Sequence, residues 1–198
     1  MARPKVENHK TAEVILESAK QIFLEKGFDG ASINDVADTA KINKSLIYHH
    51  FGNKENLWKA VKERIVNQAL PKETVTFKHP TLREFIEAFV AFRFHLYATH
   101  PELIRLMGWQ RLDSKIDALA GINIEPFVGL EDHLRNLQAT GQIRADLEPS
   151  VILYLIMSLS SNAFVDNAPF LKTKTGRKQY LKVIVEGLMK ILSASVIQ

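Results

Sequence analysis

Apolar residues recur at spacings of three and four near the start of the chain. Val14, Ile15, Ala19, Ile22 and Phe23 lie along one face of an amphipathic helix over residues 8–26. Gly27 supplies a natural helix stop, and residues 28–31 read as a turn. Ser32, with Asp35 three residues on, forms a variant capping box with a shorter acid. It opens a second helix that reaches Thr39 or Ala40, with Ile33, Val36 and Ala37 facing inward. Lys41 and Ile42 make a short break, and Asn43 caps a third short helix over residues 44–49. Gly52 and Asn53 break the chain again. A fourth helix over residues 54–70 then carries Leu57, Trp58, Val61, Ile65 and Val66.

Residues 71–80, bounded by prolines, read as a linker. Thr81 and Glu84 make a full capping box that opens a helix containing Phe85, Phe89, Phe92 and Phe94. Apolar residues lie on nearly every side of that helix, which predicts burial. Pro101 starts another helix at its first turn, Pro126 opens one that ends at Gly141, and Pro149 opens the most apolar one, over residues 149–165. Residues 166–176 read as a loop before a last helix over about residues 177–195. No strand pattern, repeat or low-complexity tract interrupts this series. The predicted fold is all-α, an N-terminal three-helix helix-turn-helix domain followed by a larger helical bundle. The division falls at residues 1–53 and 54–198, with residues 54–70 as a connecting helix.

Composition changes this picture little. The 198 residues are 46% hydrophobic and 24% charged, enough for a buried core under a polar surface. A net charge of +4 suits an anionic partner without demanding one. Cysteine is absent, which excludes disulfides and thiolate chemistry in this sequence. The first ten residues are charged and carry no leader-like apolar segment, and the longest apolar run, residues 151–157, is far short of the ~18 residues a membrane span needs. A cytoplasmic protein with no membrane partner is expected.

Two short helices around a tight break, behind a longer helix, make a compact helix-turn-helix. Its second short helix is of a size to enter the major groove of DNA. That helix presents Asn43, Lys44, Ser45, Tyr48 and His49, while Leu46 and Ile47 anchor it inward. Lysine reaches guanine edges or phosphates and asparagine can pair with adenine. Tyrosine and histidine can donate to phosphate oxygens, which fixes register. Lys54 opens the next helix beside free backbone N–H groups, another place that favours phosphate.

The run from Ser32 to Ala37 and the run from Ala40 to Leu57 together resemble the DNA-binding signature of the tetracycline-repressor (TetR) family. Tyr48, Phe51, Lys54 and Leu57 at this spacing carry the resemblance most specifically. The upstream run from Phe23 to Phe28 is similar to the end of that family's first helix. The resemblance covers residues 8–60 in detail, and the rest only in architecture and length. It implies that Ser32 caps its helix and offers its hydroxyl or N–H to phosphate. It also implies that Lys44, Ser45, Tyr48 and His49 are recognition-helix contacts, that Lys54 is a phosphate contact and that Phe51 is a core residue. Lys41 departs from the glycine usual in that turn, and Asn43 and Ser45 depart mildly from the usual small residues. If the Lys41 turn is left-handed it is strained, and Lys41 is then a candidate contact to the DNA backbone.

The resemblance further implies a dimeric transcriptional regulator whose partners are double-stranded operator DNA and a small-molecule effector, with ligand binding and dimerisation in the second domain. Candidate ligand-binding residues are Phe89, Phe92, Arg93, Met107, Trp109, Phe127, Tyr154 and Met157, an apolar lining with one cation. Self-association is expected through residues 149–165 and 177–195, since the first helix is too apolar to face water and the second carries Tyr180, Val183, Ile184, Leu188, Ile191 and Leu192. No cofactor is expected, for no dinucleotide or Walker fingerprint is present, and the seven histidines make no metal motif. Two alternatives stay open: a helical carrier or sensor without DNA binding, and an all-helical enzyme using His133 or Glu102.

Overall fold

The computed structural model describes residues 5–70, 76–112 and 129–194. These form α1 (Lys5–Gly30), α2 (Ile33–Ala40), α3 (Lys44–Phe51), α4 (Lys54–Ala69), α5 (Leu82–Thr99), α6 (Pro101–Leu112), α7 (Leu130–Ala139), α8 (Pro149–Val165) and α9 (Lys174–Leu192). Among the described residues, the extended pairing is confined to an isolated bridge between Ile143 and Ser193. The all-α expectation holds.

The chain divides into two compact units. The first comprises residues 1–68 and 105–123, the second residues 69–104 and 124–198. In the first unit Ile15, Phe23, Val36, Ile47, Leu57 and Val61 are buried together with Trp58. The Phe23 and Trp58 rings lie 4.8 Å apart, and Arg64 of α4 pairs with Glu13 of α1. These contacts tie α4 to α1, and the compact unit includes α4 as far as Gln68.

Gly27 interrupts α1 with φ 73° and ψ 178°, a backbone open chiefly to glycine. Regular helical geometry breaks at Gly27, as the pattern suggests, and a short further helical stretch continues past the kink to Gly30. A β-carbon on Gly27 would lie 2.7 Å from the Trp109 ring of α6, so the kink and the indole fit each other. The indole N–H donates to the Leu24 carbonyl at 2.9 Å.

In the second unit, α5, α7, α8 and α9 close around Phe85, Ile86, Phe89, Leu134, Ile152, Ile156 and Leu188. Thr81 caps α5 with Glu84 completing the expected box. Gly129, left-handed at φ 77°, precedes α7 at Leu130, and the helix start expected at Pro126 lies outside the described residues. One boundary differs from expectation. The last helix begins at Lys174, because the Thr173 side chain caps it by accepting from the Gly176 N–H at 3.0 Å. Gly176 belongs to that first turn, where a β-carbon would come 2.0 Å from the Phe170 carbonyl oxygen.

Candidate nucleic-acid interface

The site begins at the cap of α2. The Asp35 N–H donates to the Ser32 hydroxyl oxygen at 3.1 Å, and the Ser32 N–H and hydroxyl both donate to the Asp35 carboxylate, at 2.9 and 2.6 Å. Lys26 adds an ion pair at 2.9 Å. The hydrogen bond from Ser32, then that from Lys26, holds the Asp35 carboxyl down at about 2. Both donors of Ser32 are directed at Asp35, and Ser32 orders the start of α2.

Lys41 follows α2 in a left-handed conformation, φ 54° and ψ 44°. Its N–H donates to Asp38 and the Ile42 N–H donates to Ala37, which closes the helix in the manner usually assigned to glycine. Asn43 then caps α3, its side-chain oxygen accepting from the Ser45 N–H at 3.0 Å. That acceptor is the one a two-point pairing with adenine would use, so Asn43 is a cap before it is a reader.

α3 runs two residues beyond the expected end, to Phe51. It is bolted inward by Ile47, which is fully buried, and by the half-buried Leu46. Lys41, Asn43, Lys44, Ser45, Tyr48 and His49 are all exposed, and Tyr48 keeps 49% of its surface accessible. A large aromatic residue so exposed on a short helix is available for contact, since the unit's core does not claim it. Lys54 heads α4, whose first turn is capped by Asn53 accepting from the Asn56 N–H at 2.7 Å. The Lys54 ammonium sits 4.4 Å above the Phe28 ring. Phe28 was not legible as part of the site. Its only signal is an aromatic residue placed directly after a kinking glycine, and its role depends on a contact across 26 residues of chain.

Comparison with known proteins agrees with this geometry. Residues 15–61 match the family model "Bacterial regulatory proteins, tetR family", and residues 86–184 match "Tetracyclin repressor-like, C-terminal domain". The chain belongs to the tetR family. It is similar to the HTH-type transcriptional repressor NicS of Pseudomonas putida, 30% identical over 158 residues, covering 76% of this chain and 74% of that protein. It is also similar to the HTH-type transcriptional activator FasR of Mycolicibacterium smegmatis, 34% identical over 155 residues and 68% of each chain. The crystal structure of the putative transcriptional regulator SCO4942 from Streptomyces coelicolor shares the fold, with a TM-score of 0.66 at 22% identity over 89% of this chain and 97% of that one. This tetR-family chain is accordingly a DNA-binding transcriptional regulator, not an enzyme, with a C-terminal ligand-binding domain.

The expected ligand-binding residues of this tetR-family protein separate into groups. Phe89 and Arg93 are buried in the second unit, and Phe92 packs against its core. Tyr154, 74% exposed, and Met157 lie on the outward side of α8, away from the described core. They face out because Ile152 and Ile156 take the inward positions of that helix. The Trp109 ring packs against Gly27 and its N–H donates to the Leu24 carbonyl, both within the first unit. Met107 is half-buried on α6, and Phe127 lies outside the described residues. His133, considered for catalysis, packs 5.1 Å from Phe85 while its Nε2 faces the His79 N–H at 3.5 Å, and burial pushes its pKa down. Among the described residues no three His, Asp or Glu side chains converge on a metal site, and no helix is long and apolar enough to cross a membrane.

Proposed function

We propose that this regulator is a repressor that binds a near-palindromic operator as a homodimer in the cytoplasm and releases it in response to a small effector. The observation that carries the proposal is the one-sided construction of α3. Ile47 is locked into the core while Lys44, Ser45, Tyr48 and His49 stand exposed, flanked by Lys41 before the helix and Lys54 after it. We assign Lys44 and Tyr48 to groove and phosphate contact, Lys41 and Lys54 to backbone phosphates, and Ser45 and His49 to the edges of the same footprint. Residues 1–53 carry DNA reading in this assignment. Residues 54–198 carry ligand binding and dimerisation, with α4 as the link.

Repression is favoured because the most plainly named of the relatives above, NicS, is a repressor, although FasR is an activator. The dimer is supported by exposed apolar residues on α8 and α9, namely Val151, Tyr154, Met157, Val183 and Ile191. Fluorescence anisotropy on fragments of the upstream genomic DNA tests the DNA assignment. Lys44→Ala and Tyr48→Ala are expected to weaken binding while leaving the circular dichroism melt unchanged. Wild-type affinity should fall steeply between roughly 50 and 200 mM salt, as counterion release requires. Binding indifferent to salt would remove phosphate-dominated recognition.

A further inference from the structure

Arg93 differs from the other arginines whose surroundings are described. Arg64, Arg83, Arg135 and Arg144 are all more exposed, and each faces a carboxylate. Arg93, midway along α5, is 5% exposed and is the sole buried charged side chain among the described residues of the second unit. Its described neighbours are neutral: Nε donates to the Ser160 hydroxyl oxygen at 2.7 Å and Nη2 donates to the Met157 carbonyl at 3.2 Å, both on α8. No carboxylate faces it among the described residues.

A guanidinium buried without a counter-charge is among the costlier arrangements in a protein interior. Burial pushes its pKa down, yet arginine keeps its proton, so the charge persists. Linking α5 to α8 does not require that charge. The Ser160 hydroxyl already donates to the Ile156 carbonyl at 2.8 Å, so its own proton is satisfied without Arg93. A methionine of similar length would fill the space at no electrostatic cost.

Five N–H donors meet two neutral acceptors among the described residues, which leaves donors for a ligand's oxygens in the planar fork that matches a carboxylate. The surroundings describe the rest of such a ligand. Arg93 lies between Phe89, one turn earlier, and Tyr97, one turn later, with ring centroids 5.7 and 5.0 Å from the guanidinium carbon. Phe89 in turn meets Phe77 edge-on at 4.9 Å.

Building on the assignment of ligand binding to this domain, we propose that Arg93 anchors the carboxylate of an amphipathic acid whose apolar body packs on the Phe89 and Phe77 rings. The counter-charge that the described residues do not provide is then supplied by the effector. Ser160 is the positioning residue, since it holds Nε and thereby orients the fork.

The test is a thermal-shift titration of the full chain with benzoate, octanoate and decanoate, each beside its uncharged amide. At least one carboxylate should raise the melting temperature by a few degrees while its amide does not, and Arg93→Met should abolish that shift. Arg93→Met itself should melt at or above the wild-type temperature, because a buried charge has been removed. Arg93→Lys should retain part of the response. The proposal is overturned if no acid in the series shifts the melt, if the amides act equally, or if Arg93→Met responds like the wild type. It is also overturned if Arg93→Met melts well below both wild type and Arg93→Lys, for Arg93 is then a strut between α5 and α8. Operator anisotropy of the wild type with the same probes separates the two ideas. An acid that stabilises the protein through Arg93 but leaves operator affinity unchanged keeps the anion site and removes the effector-release function.

Discussion

Lys41 occupies a left-handed turn with no β-branched or glycine compensation, φ 54° and ψ 44°. An L-residue held there costs on the order of 1 kcal/mol relative to an unstrained position. Glycine would remove that strain, although its larger unfolded-state entropy offsets part of the gain. Under the proposed DNA assignment, the exposed Lys41 ammonium beside α3 contacts a backbone phosphate, which glycine could not do. Lys41→Gly is therefore expected to melt at the wild-type temperature or slightly above it. It should also bind operator more weakly, with a salt slope reduced by about one unit. Thermal melts and a salt titration check both parts: an unchanged slope removes the DNA role, and a clear loss of stability removes the strain. Asp35 makes a second prediction at this scale. Its folded pKa of about 2 lies below the ordinary 3.8, so the unfolded chain takes up the proton more readily. The contribution of the Ser32–Asp35–Lys26 cluster is fully present above the unfolded value and is lost as pH falls through the folded one. Asp35→Asn should thus melt below wild type at neutral pH, and the gap should close as pH drops from about 4 to about 2. A gap that stays constant over that window would mean the cap does not act through the ionised carboxylate.

Single helices were legible where a side chain announces the end. Ser32, Asn43 and Thr81 each close a hydrogen bond to the first turn of the helix they start, and all three were readable from residue type and spacing alone. Boundaries set by tertiary contact were not legible. Gly176 looked like a loop residue, yet it sits inside α9 because Thr173 caps the helix ahead of it, and it is glycine because the Phe170 carbonyl leaves no room for a β-carbon. The same holds for the site. The exposed residues of α3 follow from helical periodicity, whereas the Phe28 ring beneath Lys54 and the Trp109 ring against Gly27 join segments far apart in sequence. The α1 kink makes this testable. Gly27→Ala must place an alanine at φ 73° and drive a methyl to within 2.7 Å of the indole. Backbone strain and overpacking together are expected to cost about 2–4 kcal/mol. In a Trp109→Ala background the methyl meets no ring, so the same substitution should cost about 1 kcal/mol less. Urea denaturation of the four proteins measures the coupling, and strict additivity would show that the indole does not enforce the glycine.

At the scale of the whole molecule, the second unit leaves apolar surface uncovered in a patterned way. Val151, Tyr154 and Met157 recur every third residue along α8, and Val183 and Ile191 lie two turns apart along α9. The inward positions of both helices are filled by Ile152, Ile156, Ile184 and Leu188, so the exposed set is a second face and not a poorly packed core. Two packed helices that each carry such a face are satisfied together when a second copy is related by a two-fold axis, which makes a four-helix interface of like surfaces. The axis also suits DNA reading, since two copies of α3 then meet the two halves of a near-palindrome. Val183, 60% exposed, can take a charge without disturbing its own chain's core. Val183→Glu should keep the helical circular dichroism spectrum but sediment as a monomer at micromolar concentration, where the wild type sediments as a dimer. Losing the second half-site removes its effective-concentration advantage, so operator affinity should fall by about 10²-fold or more. The two readouts must move together. A Val183→Glu protein that stays dimeric places the interface elsewhere. One that becomes monomeric but binds operator at wild-type affinity shows that a single copy reads the site, and the two-fold model of recognition fails.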